Sequence, residues 1–309
     1  MLTLNKRCVE LQKKLEDSGI RSSILKGQGI ASYYGELASL RQPGDIDIYV
    51  DCERKKALQF AKSVGSKDVE WDYKHLHLDV FPDTEVEVHY RVEVLLNLRK
   101  NRKLQKWFKG IEDDIFGQEV NLSRIRESEN LCIPTVEFNL FYILLHIYRH
   151  FLYEGVGVRQ LMDYYFVLKA NTNNPNDTNG SLRSKLHENH NENLSSSTDY
   201  TDLTDLLKQF GMWKFARGLM WVMQRVFGLE KEYMICEPQE DEGRFILSEV
   251  MEGGNFGHYD ERLSSDQGGK LQTMKKVVKH NVHLMRHYPS EIIWPPVWFV
   301  WYKLWKLTR

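Results

Sequence analysis

The chain has 309 residues, 42% of them hydrophobic and 12% aromatic, enough for one large core or two ordinary ones and too apolar for global disorder. Its 42 Lys and Arg against 43 Asp and Glu leave a formal net charge of −1, so no overall field drives it toward nucleic acid or an anionic membrane. The four cysteines, Cys8, Cys52, Cys132 and Cys236, include no CxxC pair, which fits reduced thiols in a cytoplasmic protein better than a disulfide framework or a zinc site.

The first residues, MLTLNKRCVELQKKLEDSG, form a charged amphipathic stretch without the apolar core of a signal peptide. Leu4, Val9, Leu11 and Leu15 recur at helical spacing, and Ser18-Gly19 supplies a stop. IRSSILKG (20–27) then reads as a short strand ending at Gly27, and QGIASYYGE as a short helix or turn. GDIDIYV (44–50) is the next strand, and CERKKALQFAKSVG (52–65) a helix closed by Gly65. KHLHLDVF (74–81), the turn PDT and EVEVHYRVEV (85–94) alternate cleanly on both sides, the pattern of a β-hairpin.

From Pro134 the character changes to long, aromatic-rich helical segments. Residues 171–199 are asparagine-rich and without periodicity, which predicts a flexible loop between helices. Helices resume near 203–228, 240–252 and 260–288. The expected plan is α+β over residues 1–130 followed by a mainly helical domain over 131–309. No run approaches the roughly 20 apolar residues a spanning helix needs, so a soluble, cytoplasmic protein is expected.

Chemistry concentrates in GDIDIYV. Residues two apart on a strand point the same way, about 6–7 Å apart, so Asp45 and Asp47 project together while Ile46 and Ile48 face the other side. Two carboxylates that close raise each other's pKa unless a cation neutralises them, and a hard divalent ion such as Mg2+ or Mn2+ suits their oxygens. EVEVHYRV offers a third acid, since Glu85, Glu87 and His89 share one face. Upstream, the Lys26-Gly27 turn opens a short helix, where backbone N–H groups and the Lys26 ammonium can receive phosphates. The bland alternative is a solvated sheet face carrying ordinary acids.

Strand, glycine turn, short helix, Asp-x-Asp on a strand and a single acid on a later strand together resemble the DNA polymerase β-type nucleotidyltransferase superfamily. The series LKG…A…Y…LR…GDIDIYV…VEVHYR more closely resembles a bacterial family described as uncharacterised nucleotidyltransferases. The resemblance implies a polymerase β-like domain with a mixed sheet and flanking helices. It implies Asp45, Asp47 and Glu87 as the metal-binding and catalytic acids, in a two-metal transfer of a nucleoside monophosphate from an NTP to a hydroxyl. It places Lys26, Gly27 and Gln28 at the nucleotide-phosphate turn, with Arg41 helping to neutralise phosphate charge. The superfamily's usual Gly-Ser is Gly27-Gln28 here, so a serine hydroxyl is missing. The acceptor, whether small molecule, RNA or protein, is left open. An inactive nucleotide- or metal-binding module is the alternative.

Other features read more plainly. His75 and His77 alternate on the strand beside Glu87, and His146 and His150 share a helix face. His280, His283 and His287 are expected on a solvated helix face. LRKNRKLQKWFKG (98–110), with six basic residues and no acids, reads as an exposed amphipathic helix, with a grip on RNA as its alternative. WPPVWFVWYKLWKLTR (294–309) is expected to pack on the helical half through its tryptophans, with peripheral membrane contact the lesser reading. GGNFG (253–257) suits a tight turn.

Overall fold

The computed structural model describes residues 2–42, 44–67, 69–120, 130–171, 203–253, 278 and 281–308. Helix α1 (Leu2–Asp17) forms because Leu4, Cys8, Leu11 and Leu15 make one apolar stripe, and it ends before Gly19, whose φ of 65° lies in the left-handed region. Strand β1 (Ser22–Ile24), helix α2 (Gln28–Ala31) and a 3-10 segment (Ser32–Leu40) lead to β2 (Ile46–Val50) and helix α3 (Arg54–Ser63). Strands β3 (His75–His77) and β4 (Val86–His89) follow.

These strands make one mixed sheet in the order β1-β2-β4-β3. β1 and β2 are antiparallel, β2 and β4 parallel, and β3 and β4 antiparallel. The predicted hairpin is present, though its strands are shorter than the alternation alone implies. The apolar positions explain the layering. Ile24, Ile46, Ile48, Val50, Leu76, Val86 and Val88 join the stripe of α1 and Ala57, Phe60 and Ala61 of α3 in one core. Residues at intervening positions, Asp47, His75, His77, Glu87 and His89, belong to the opposite sheet face. The chain is thus α+β with a mixed sheet, as the sequence predicts.

Two compact units emerge, residues 1–95 with 101–139, and residues 96–100 with 140–309. The first also holds most of α4 (Leu98–Gly110), the short α5 (Glu112–Ile115) and an antiparallel pair, β5 (Gln118–Val120) with β6 (Leu131–Ile133). α4 is amphipathic, burying Asn101, Leu104 and Phe108. The side chain of Gln12 clasps the backbone of Cys132 in both directions, each bond 3.1 Å, and so ties β6 to α1.

The second unit is helical. It contains α6 (Val136–Tyr153) from Leu140 onward, α7 (Val158–Ala170), α8 (Leu203–Gln209), α9 (Trp213–Phe227), α10 (Glu240–Gly253), α11 (Pro289–Ile292) and α12 (Pro295–Leu307). Its core is aromatic, with Tyr148 and Phe151 each 5.1 Å from the Phe215 ring. The buried Tyr164 hydroxyl donates to Leu140 O at 3.2 Å, which satisfies it.

Two expectations need amendment. No residue of the Trp-rich α12 is buried, and Phe299, Val300 and Leu304 are exposed, so its tryptophans are not core anchors. His287 does not sit on a solvated face, because its ring stacks on Phe245 at 3.6 Å and Nδ1 lies 3.2 Å from Glu242 Oε2. His146 and His150 do share a face, with ring centres 4.2 Å apart and His150 paired to Glu154. His280, the 171–199 stretch beyond Asn171 and the GGNFG segment beyond Gly253 lie outside the described residues. Among those described, no helix is long and apolar enough to cross a membrane.

Candidate functional site

The strand register assembles the site. Along the parallel β2–β4 pair, Asp47 stands opposite Glu87 and Tyr49 opposite His89. Across the antiparallel β3–β4 pair, His77 stands opposite Glu87 and His75 opposite His89. Three neighbouring strands therefore present two carboxylates and three imidazoles on one face.

His89 is the centre of this group. Its fully buried ring places Nε2 3.0 Å from Asp47 Oδ1 and 3.1 Å from Glu87 Oε2, so one N–H is shared between two acids. Its Nδ1 is buried with no hydrogen-bond partner among the described residues. Lys26 Nζ reaches Asp47 Oδ1 at 2.8 Å. Burial works against the Asp47 charge, but the Lys26 ammonium and the His89 hydrogen bond outweigh it and hold the carboxyl well below the usual range. Glu87 is also held low, since the His89 hydrogen bond and nearby positive charge overcome its burial. Asp45, just before β2, is pushed up, first by the Asp47 carboxylate and then by burial, with Lys26 opposing. The His75 imidazole is pushed down to about 4 by burial and by His89, against the pull of Glu87.

The upstream turn is pressed against β2. Leu25 N–H donates to Asp47 O at 2.9 Å. Gly27 has φ 55° and ψ −107°, and a Cβ there would meet Asp45 O at 3.3 Å. Gln28 is buried and its amide donates to Asn5 Oδ1 of α1. Arg41 is buried too, with Nη1 donating to Gln42 O at 3.4 Å. Of the residues the sequence singles out, Lys26, Asp45, Asp47 and Glu87 interact with one another, while these bonds tie Gln28 to Asn5 and Arg41 to Gln42.

A family model for uncharacterised nucleotidyltransferases matches residues 2–193. The chain belongs to that nucleotidyltransferase family. Among curated proteins, none matches. Among solved structures, an antigenic nucleotidyltransferase-like protein from Paracoccidioides brasiliensis is similar at 12% identity and a TM-score of 0.44, over 78% of this chain and 96% of that one.

In this nucleotidyltransferase family member, the described residues include two sets, each with its donor atoms within 4.8 Å of one another: Asp47, Glu87 and His89, and His75, His77 and Glu87. His89 belongs to the converging set around Asp47, where its shared N–H orients the two carboxylates. The arrangement fits a divalent cation. Asp45 is raised chiefly by repulsion from Asp47, which an added positive charge would relieve, and oxygen-rich donors suit Mg2+ or Mn2+. Sequence reasoning placed His89 on the right face without giving it a role. The available signal was its position two residues after Glu87; what was missing was the register that brings β4 beside β2.

Proposed function

We propose that the chain transfers a nucleoside monophosphate from an NTP to a hydroxyl acceptor, with Asp45, Asp47 and Glu87 holding Mg2+ or Mn2+. The observation that carries this reading is the direct pairing of Asp47 with Glu87 across parallel strands, in a member of a nucleotidyltransferase family. Divalent ions, two in the form envisaged, would supply positive charge to the leaving pyrophosphate and activate the acceptor hydroxyl.

The chain's own residues do the positioning. Asp47 is buried and kept ionised, so its oxygens stay available as ligands. His89 fixes Asp47 and Glu87 at a set spacing by bonding both. Lys26 pairs with Asp47 and, at the nucleotide-phosphate turn, can exchange that partner for a phosphate oxygen. Gly27 lets the backbone pass close to β2, where a side chain would crowd Asp45. Glu87, partly exposed, is the candidate to accept the acceptor's proton.

The test is NTP binding with and without Mg2+ or Mn2+, followed by label transfer from α-32P-NTPs to cell-extract acceptors. Binding that needs the cation, and labelling reduced at least 100-fold in Asp47→Asn, are expected. Absence of NTP binding under all cation conditions would overturn the reading. The one observation favouring an inactive module is Gln28, whose amide is engaged with Asn5 where a serine hydroxyl is usual. Cation-dependent NTP binding without transfer to any acceptor would select it.

A further inference from the structure

We propose that His75, His77 and Glu87 form a separate cation site on the β3 side of the sheet, one that takes a zinc-like transition ion in preference to Mg2+. The two imidazoles lie two residues apart on β3, share a face, and have ring centres 5.0 Å apart with planes at 89°. His77 stands directly opposite Glu87 in the antiparallel register. Donor atoms of all three lie within 4.8 Å of one another. A tetrahedral ion with bonds of about 2.0–2.1 Å holds its ligands about 3.3 Å apart, so a modest rotation closes the set. His77 is exposed and Glu87 partly exposed, so both side chains have room to make that rotation.

The orientation of His75 points the same way. Its Nδ1 is buried, has no hydrogen-bond partner among the described residues, and faces Glu87 Oε2 at 3.7 Å. Its Nε2 faces Asp72 Oδ2 at 4.0 Å, and Asp72 is fixed by backbone N–H groups of Lys74 and His75 at 2.6 and 2.8 Å. At 3.7 Å, Nδ1 and Glu87 Oε2 are too far apart for a hydrogen bond and close to the spacing of two ligands on one ion. A cation between them gains two ligand bonds, and Asp72, on the Nε2 side, stands as the outer carboxylate that orients a metal-bound imidazole.

Ligand type sets the choice of ion. Two imidazoles and one carboxylate are the donor set of Zn2+ and its neighbours, whereas Mg2+ prefers oxygen alone. Three protein ligands leave a fourth position, and exposed His77 leaves it open to water. Glu87 is shared with the Asp47 side, so an ion here draws it away from His89.

Co2+ serves as the visible probe on the full-length, metal-free chain. With Mg2+ in excess to occupy the acid site, one Co2+ per chain is expected, giving visible absorption that Zn2+ removes by displacement. His77→Gln and His75→Gln should each weaken Co2+ binding about 10–100-fold. Asp45→Asn should leave the Co2+ spectrum and affinity unchanged while abolishing nucleotide transfer, which separates this inference from the proposed activity. Metal-free circular dichroism and melting of His77→Gln should match the parent chain, because that side chain is exposed. Co2+ binding retained in His77→Gln, or lost in Asp45→Asn with His77→Gln intact, overturns the proposal; so does no Co2+ binding at all.

Discussion

A single imidazole N–H holding two carboxylates is the residue-scale fact on which the site depends. His89 has no exposed surface, and neither Asp47 nor Glu87 can move without losing its bond to that nitrogen. Replacing it by leucine keeps most of the volume and removes the shared donor, leaving Asp47 and Glu87 facing each other across the β2–β4 pair. Breaking a buried charged group's partnership costs about 3–5 kcal/mol, so His89→Leu is expected to lower stability in cation-free buffer by about 3 kcal/mol. Mg2+ then has more repulsion to relieve, and its stabilising effect should be larger in His89→Leu than in the parent chain. Thermal melting with and without Mg2+ measures this; equal Mg2+-induced shifts in the two proteins would count against cation binding at Asp47 and Glu87. Asp47 and Glu87 themselves were legible in the sequence, because acids alternating with Ile and Val in a strand stand out against the cost of burying charge. The role of His89 was not, because it depends on which strands become neighbours and in which register.

At the scale of elements, alternation and glycine punctuation exposed most of the first unit. α1, β1, the Gly27 turn, β2, α3 and the β3–β4 hairpin all lie where apolar periodicity puts them. The β5–β6 pair escaped, since Gln118–Val120 carries a single apolar residue and ten residues separate it from Leu131–Ile133, so neither alternation nor a tight-turn signal marks it. α12 escaped differently: a tryptophan-rich helix reads as a core anchor, but pattern alone cannot say whether a partner surface is present. Among the described glycines, an added Cβ comes closest to backbone at Gly29, where it would approach Ile24 O to 2.5 Å. Neither β1 nor α2 can yield without disturbing the bond from Leu25 N–H to Asp47 O. Gly29→Ala is therefore expected to cost about 1–3 kcal/mol in denaturant unfolding and to weaken cation-dependent NTP binding. Gly19→Ala, with no atom within 4 Å of the added carbon, carries only the backbone penalty of its φ of 65° and should spare binding. If Gly29→Ala binds NTP as the parent does, the β1–α2 turn does not shape the site.

For the molecule as a whole, near-neutral net charge removes bulk repulsion as the main source of pH dependence, so individual buried groups should stand out. Glu291 is one of them. Its side chain is fully buried in the helical unit, where Lys100 Nζ lies 2.5 Å from Oε1 and also donates to Phe210 O at 3.1 Å. Burial nevertheless exceeds the pull of Lys100 and raises the carboxyl above its usual range. The folded chain thus keeps this proton at a pH where the unfolded chain, with Glu near 4.3, has released it. Stability from this group is fully present below about pH 4.3 and is lost as pH rises through the raised folded value. Glu291→Gln removes the titration while keeping the shape, so its stability relative to the parent should climb from pH 4 to pH 8, whatever constant offset the amide brings. Lys100→Met acts the other way: it strands the carboxylate and should cost about 3–5 kcal/mol at pH 8, and less at pH 4, where Glu291 can accept a proton. Urea unfolding of the three proteins across that range gives both slopes. A flat difference for Glu291→Gln would mean that Lys100 fully compensates the buried charge.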